Sequence, residues 1–272
     1  MYAVNKERCL VERLASGELI ASPVIAIFAH PDDETIGMGG RLSRLDNLTL
    51  VHVTDGAPRN MARARELGFE STEDYSRARF SELTRALFRL GVKPKCQIGF
   101  GISDGEVILH LTTLIDRLEA ILGGYATVIT HAYEGGHPDH DACALAVQVA
   151  CVQLAAARRM RPLRLEFACY YSRAGKLHNN SFSADPQCLG VTVQLSRKER
   201  KLKRKAMREF RTQSWITGIF PVSHESYREA PMYDFLAPPS SGEWFYDRHN
   251  WPLKGKNWLE YASIGLDVAP SV

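Results

Sequence analysis

Two short segments hold most of the residues able to do chemistry. Residues 29–34 read Ala-His-Pro-Asp-Asp-Glu, and residues 137–141 read His-Pro-Asp-His-Asp. Together they offer the imidazoles of His30, His137 and His140 and the carboxylates of Asp32, Asp33, Glu34, Asp139 and Asp141. Imidazole nitrogen and carboxylate oxygen are the ligands of catalytic zinc sites, which use three protein ligands and leave a position for water. The same donors suit Fe(II) or Mn(II). Pro31 and Pro138 stiffen both segments, because proline fixes φ. The competing reading is that the acidic residues cap helices: Asp32, Asp33 and Glu34 open one, and Asp139 or Asp141 could cap another.

Chemistry of this kind needs both segments in one place, and the flanking elements predict that they meet. The apolar run 24–29 reads as a strand buried on both faces. A helix is expected over 34–45, although Gly37, Gly39 and Gly40 lie inside it; those glycines would let its backbone approach the sheet. Further strands are expected at 49–54, 96–100, 126–131, 163–171 and 190–195. Helices are expected over 74–90, 106–122 and from the second motif to about residue 159. Alternation of strand and helix predicts a Rossmann-like, three-layer α/β domain with a mostly parallel sheet. In the strand order 3-2-1-4-5 the first and fourth strands flank the point where the order reverses, and ligands bind outside their carboxyl ends. Both motifs, about 100 residues apart in sequence, then fall in one crevice.

Composition narrows the function. With 272 residues, 45% hydrophobic and 24% charged, the chain can bury a core without a structural metal, so a metal here would serve function. A net charge of +3 does not argue for nucleic acid. Nine basic residues between 197 and 211 read as the solvated face of a helix extending to about residue 212. No stretch approaches the length of a membrane span and no apolar leader opens the chain, so a cytoplasmic protein is expected. The six cysteines form no C-x-x-C pair and read as reduced thiols. No G-x-G-x-x-G follows the first strand, which disfavours a dinucleotide-binding oxidoreductase.

Ala-His-Pro-Asp-Asp-Glu after a first strand and His-Pro-Asp-His at 137–140 resemble the LmbE-like or PIG-L family of zinc-dependent de-N-acetylases. The turn Thr54-Asp55-Gly56, the run Arg79-Phe80-Ser81-Glu82 and Leu90-Gly91 fit the same pattern. The resemblance spans roughly residues 22–215, and 225–235 looks like the tail of a bacterial subgroup. It implies that His30, Asp33 and His140 hold the metal, with Asp32 as general base. It implies further that His137 stabilises the oxyanion and protonates the amine, that Asp139 orients a histidine, and that Arg79 contacts a sugar. Some members carry a tyrosine two residues before the first histidine of the second motif; here that position is Gly135. The expected reaction removes acetyl from an N-acetylated amino sugar or glycoconjugate. The alternative is an amidase acting on a larger acyl group or a thiol-conjugate amide.

The expected organisation is an N-terminal helix and linker (1–22), a deacetylase domain (22–215) and a less regular extension packed on it (216–272). That extension and its approach hold Trp215, Trp244, Trp251 and Trp258. Arg228, Tyr233 and Trp244 are candidates for sugar contact, since aromatic faces suit pyranose rings. His52 reads as structural, His131 ends the fourth strand as a structural residue that could alternatively line the crevice, and Asp104 and Glu106 read as helix caps.

Overall fold

Strands apolar on both faces can only lie inside a sheet covered on both sides, and β1 (Val24–Phe28) and β2 (Leu48–Thr54) are buried along their whole lengths. The computed structural model describes residues 9–183, 188–249 and 251–267; the first eight residues of the expected N-terminal helix lie outside these. Between Leu10–Ser16 (α1) and β2 runs α2 (Asp33–Met38). After β2 come α3 (Ala62–Glu66), α4 (Thr72–Leu90), β3 (Cys96–Ile102), α5 (Leu111–Leu122), β4 (Thr127–His131) and α6 (Pro138–Ala156). Then follow β5 (Leu163–Phe167), β6 (Tyr170–Arg173), β7 (Lys176–Asn179), β8 (Val191–Gln194), α7 (Arg197–Met207), α8 (Ser214–Thr217), β9 (His224–Glu229) and α9 (Gly255–Asp267).

The main sheet has seven strands in the order β3-β2-β1-β4-β5-β9-β8. The first five are parallel, and β9 and β8 join antiparallel. Alternation along β1 sorts its side chains: Val24, Ala26 and Phe28 face α1, α2, α4 and α7, while Ile25 and Ile27 face α5, α6 and α9. This is the expected three-layer α/β architecture, with the order reversing between β1 and β4.

Three expectations need correction. The helix expected over 34–45 stops at Met38, seven residues early, because its glycines serve packing rather than length. A Cβ on Gly37 would sit 2.2 Å from the Phe167 ring, so α2 presses directly on β5. The strand expected over 163–171 is two strands, with β6 leaving the main sheet to pair with β7. The tail is more regular than expected, since it supplies the interior strand β9 and the helix α9, whose Trp258 is fully buried.

β9 escapes a periodicity reading because several of its buried residues are charged. Glu225 and Arg228 are buried and paired with Lys203 and Glu166. Lys203 is also the exception on the basic helix: it turns inward, donating to the Ile36 carbonyl and to Glu225 Oε1, each at 2.6 Å. Glu225 also accepts from Gly40 N–H and the Tyr227 hydroxyl. Removing one partner of a buried pair strands the other charge. Lys203→Met is therefore expected to cost about 3–5 kcal/mol of stability, read from urea denaturation. Lys203→Met/Glu225→Leu should recover much of that loss, and a double variant as unstable as the single would refute the ion-pair account.

Candidate active site

The loop after β1 is shaped by its own side chains. Asp32 sits at φ 144°, a conformation that costs of order 1–3 kcal/mol for a residue with a Cβ. Its N–H donates to Glu34 Oε2 at 3.0 Å. Glu34, fully buried, also accepts from Thr35 and contacts His52 Nε2. Asp32 precedes α2 but makes no side-chain cap bond. The helix-cap reading thus fails for Asp32, whose carboxylate takes Arg79 Nη2 at 3.3 Å instead.

The loop after β4 starts α6 with Pro138 at its first turn, and the cap is His137, whose Nδ1 accepts from the Asp139 N–H. That bond places the ring proton of neutral His137 on Nε2. Neither Asp139 nor Asp141 caps the helix. Asp141 instead accepts from Glu134 and Gly135 N–H and from the Tyr246 hydroxyl, and burial pushes its carboxyl up to about 8.

The two loops do meet. Asp33 lies between two imidazoles: its Oδ2 is 3.1 Å from His30 Nδ1 and its Oδ1 is 3.2 Å from His140 Nε2. The His30 and His140 ring centres are 5.3 Å apart, and His137 is 4.5 Å from His30. On its far side, His30 Nε2 contacts Asp139 and Asp104, each at 3.2 Å. Asp139, with no exposed surface, is itself fixed by the Gly105 and Val107 N–H groups. The histidine in contact with Asp139 is therefore His30.

Charge balance fits a cation between these donors. Burial opposes a charged His30, yet Asp104 and Asp33 hold its pKa well above the usual value. Asp33, although buried, is held low chiefly by His140, His131 and His30. The surrounding carboxylates thus favour positive charge at His30, where a metal would place it. Three overlapping groups have ligand atoms within 4.8 Å of one another: His30, His137 and His140; His30, Asp104, His137 and Asp139; and Asp33, His140 and Cys169. The nitrogen and oxygen donors match those of a divalent metal site.

Asp32 lies beside this cluster. Burial raises its pKa well above its ordinary value, outweighing the pull of Arg79 and His30, and the charges of Asp33 and Glu34 add to the rise. Arg79, 2% exposed, donates to the Pro31 and Gly56 carbonyls, so it joins the loops after β1 and β2. Its Nε is buried without a partner. His137 is pushed down to about 3 by burial and then by His30, and so is neutral near pH 7.

Several residues fall elsewhere than expected. His131 lies beneath the cluster, stacked 3.9 Å from His140, and its Nε2 accepts from the Ala29 N–H. With that lone pair used, the 3.5 Å approach to Asp33 is a contact and not a hydrogen bond. Asp104 is a site residue that sequence reasoning assigned to a cap. Its signal, an acidic residue just past the end of β3, the edge strand beyond β2, was readable. Gly135 cannot become a tyrosine in place: its φ is +70°, and a Cβ would lie 2.7 Å from the Glu243 carbonyl. Tyr133 turns away to the Ala237 carbonyl, while Tyr170 stands 5.6 Å from the His140 ring. Arg228 and Tyr233 are occupied with Glu166. The tail reaches the site through Trp251, whose ring is 4.8 Å from His137.

Behind the second motif, Glu134 accepts the Cys169 N–H on Oε2 and has no partner on Oε1. Burial pushes it up to about 8, against the pull of the Cys169 hydrogen bond, with Glu166 adding to the rise. The folded chain therefore holds this proton between its ordinary 4.5 and about 8, so stability falls as pH rises through that window. Glu134→Gln removes the titration. It is expected to exceed wild type by on the order of 2 kcal/mol above about pH 8, with little difference near pH 5. Urea midpoints at both pH values check this; equal gaps at the two would refute it.

Residues 25–151 match the family model of PIG-L, GlcNAc-PI de-N-acetylase, which bears out the resemblance carried by the two motifs. The chain is 30% identical over 151 residues to 1D-myo-inositol 2-acetamido-2-deoxy-alpha-D-glucopyranoside deacetylase of Corynebacterium diphtheriae, an alignment covering 45% of this chain and 50% of that protein. The chain thus spans about half the length of the curated relative it matches. Among solved structures, the A40926 pseudoaglycone deacetylase Dbv21 superposes with a TM-score of 0.56 at 16% identity, covering 79% of this chain and 99% of that one. GalB, the 4-carboxy-2-hydroxymuconate hydratase of Pseudomonas putida KT2440, superposes at 0.52 with 13% identity, covering 79% and 98%. These two likenesses concern the fold, which serves two different reactions.

Proposed function

We propose that this chain, whose residues 25–151 match the PIG-L family, is a metal-dependent deacetylase of N-acetylated amino sugars or glycoconjugates. The observation that carries the proposal is Asp33 held between His30 Nδ1 and His140 Nε2, with the carboxylate of Asp32 alongside on Arg79. His30, Asp33 and His140 would hold the ion, zinc or alternatively Fe(II) or Mn(II). When bound, it supplies Lewis acidity toward an amide carbonyl and a water.

The remaining work falls to side chains. Asp32 takes the proton of the attacking water; its raised pKa moves the base toward neutral pH, where general bases are effective. Arg79 keeps that carboxylate in place. His137 offers its Nε2–H to the oxygen of the tetrahedral species, and the proton gathered by Asp32 returns through this pair to the leaving amine. Asp139 fixes the His30 ring. Arg79 Nε and the rings of Trp251 and Tyr170 are the groups we assign to the sugar. No helix among the described residues is long and apolar enough to cross a membrane, and the buried thiols of Cys143, Cys151 and Cys169 fit a reducing, cytoplasmic setting.

The test is a panel of N-acetylated sugars, nucleotide sugars and glycolipid headgroups, with longer N-acyl analogues beside each. Metal-stripped and zinc-reloaded protein are compared by release of free amine and acid. Acetate release restored by metal supports the proposal, and release of longer acids alone would favour the amidase. Tight metal binding with no acid release across the panel would refute both.

A further inference from the structure

Among the metal-binding side chains of the cluster, Cys169 is the sulfur donor, and the proposed chemistry gives it no task. It follows β5 with its backbone pinned on both sides: its N–H donates to Glu134 Oε2 and its carbonyl accepts from the Asn180 N–H at 2.8 Å. The residue is 3% exposed, and its sulfur has no hydrogen-bond partner among the described residues. Phe167, two residues earlier, lies under Gly37. The alternation of extended chain thus aims Cys169 at the same layer, where α2 begins with Asp33. There its Sγ, an oxygen of Asp33 and a ring nitrogen of His140 lie within 4.8 Å of one another.

We propose that Cys169 is a fourth protein ligand of the metal centre, one that engages thiophilic ions and favours zinc over Mn(II). This rests on the metal site proposed above. Zinc bonds of about 2.3 Å to sulfur and about 2.0 Å to nitrogen or oxygen space tetrahedral ligands by about 3.5 Å. A side-chain shift of about an ångström therefore brings all three atoms onto one ion. As the sulfur–metal bond forms, the S–H bond breaks and its proton passes to solvent. Soft thiolate retains zinc, whereas Mn(II) prefers oxygen and leaves the sulfur out. The ion's identity would then set the number of protein ligands, four with zinc and three with Mn(II).

Cobalt(II) reports on this directly. Metal-stripped full-length protein is loaded with one equivalent of Co(II), and its absorption spectrum is recorded. Visible bands report a bound, low-symmetry ion, and a near-ultraviolet band reports a sulfur-to-cobalt charge transfer. Wild type is expected to show both, and Cys169→Ser the visible bands alone. Cys143→Ala, which alters another buried thiol, should keep both. Zinc affinity, measured by competition with a chelating dye, should fall about 10–100-fold in Cys169→Ser with Mn(II) affinity unchanged. Visible bands in wild type without the near-ultraviolet band would overturn the ligand assignment and leave the metal centre standing. No cobalt bands at all would overturn the centre and this ligand with it.

Discussion

Asparagine at position 32 is expected to lower kcat by about 10²–10⁴-fold while bound metal stays at the wild-type level. Removal of a general base acts on the transition state, and the ligands are other residues. The substitution is also mild for the fold. Asparagine tolerates left-handed backbone better than most residues, its N–H still meets Glu34, and its carbonyl oxygen still accepts from Arg79. Metal content after gel filtration, set beside single-turnover rates, separates the base from a ligand. Wild-type kcat in the asparagine variant would remove Asp32 from the reaction; loss of metal would move it into the coordination sphere.

His140→Ala is expected to empty the site and reduce turnover to background at any zinc concentration that leaves wild type saturated. Its Nε2 is one of the two nitrogens against Asp33, and its ring stacks on His131. Alanine leaves the Asp33 carboxylate with His30 alone. Asp139→Asn should behave differently, because Asp139 acts by holding the His30 ring. Such outer partners typically govern about 10–100-fold in metal affinity, so excess metal should restore much of the activity. Equilibrium dialysis against graded free zinc, with activity read on the same samples, distinguishes the two. Full metal retention by His140→Ala would refute the proposed ligand set, and so would an Asp139→Asn variant that no metal concentration rescues.

How far the sequence reached depended on whether local pattern carried the information. The parallel core was readable because β1, buried on both faces, reads as an uninterrupted apolar run, and β2 and β4, equally buried, read as stretches rich in Val, Ile, Leu and Thr. The convergence of the two histidine motifs followed from strand order alone. β9 was not readable, since its buried side chains include Glu225 and Arg228, charges neutralised by residues 22 and 62 positions earlier. The early stop of α2 was half readable. The glycines were noted, but only contact with Phe167 explains their number. Asp104 and Cys169 were missed for one reason: each reaches the cluster from the end of a strand that bears no histidine motif.

The strut from Lys203 to Glu225 and the Ile36 carbonyl bears on how this unit could be moved or divided. His30, Asp33 and His140 lie before residue 151, inside the stretch that matches the family, whereas Cys169 lies beyond it. The props beneath them lie beyond it too: Phe167 supports α2, Lys203 and Glu225 brace its end, and Trp251 walls His137. An excised piece ending near residue 151 would carry His30, Asp33 and His140, lose Cys169, and collapse for want of scaffolding. A chimera that borrows the site must import α7 and β9 along with the motifs.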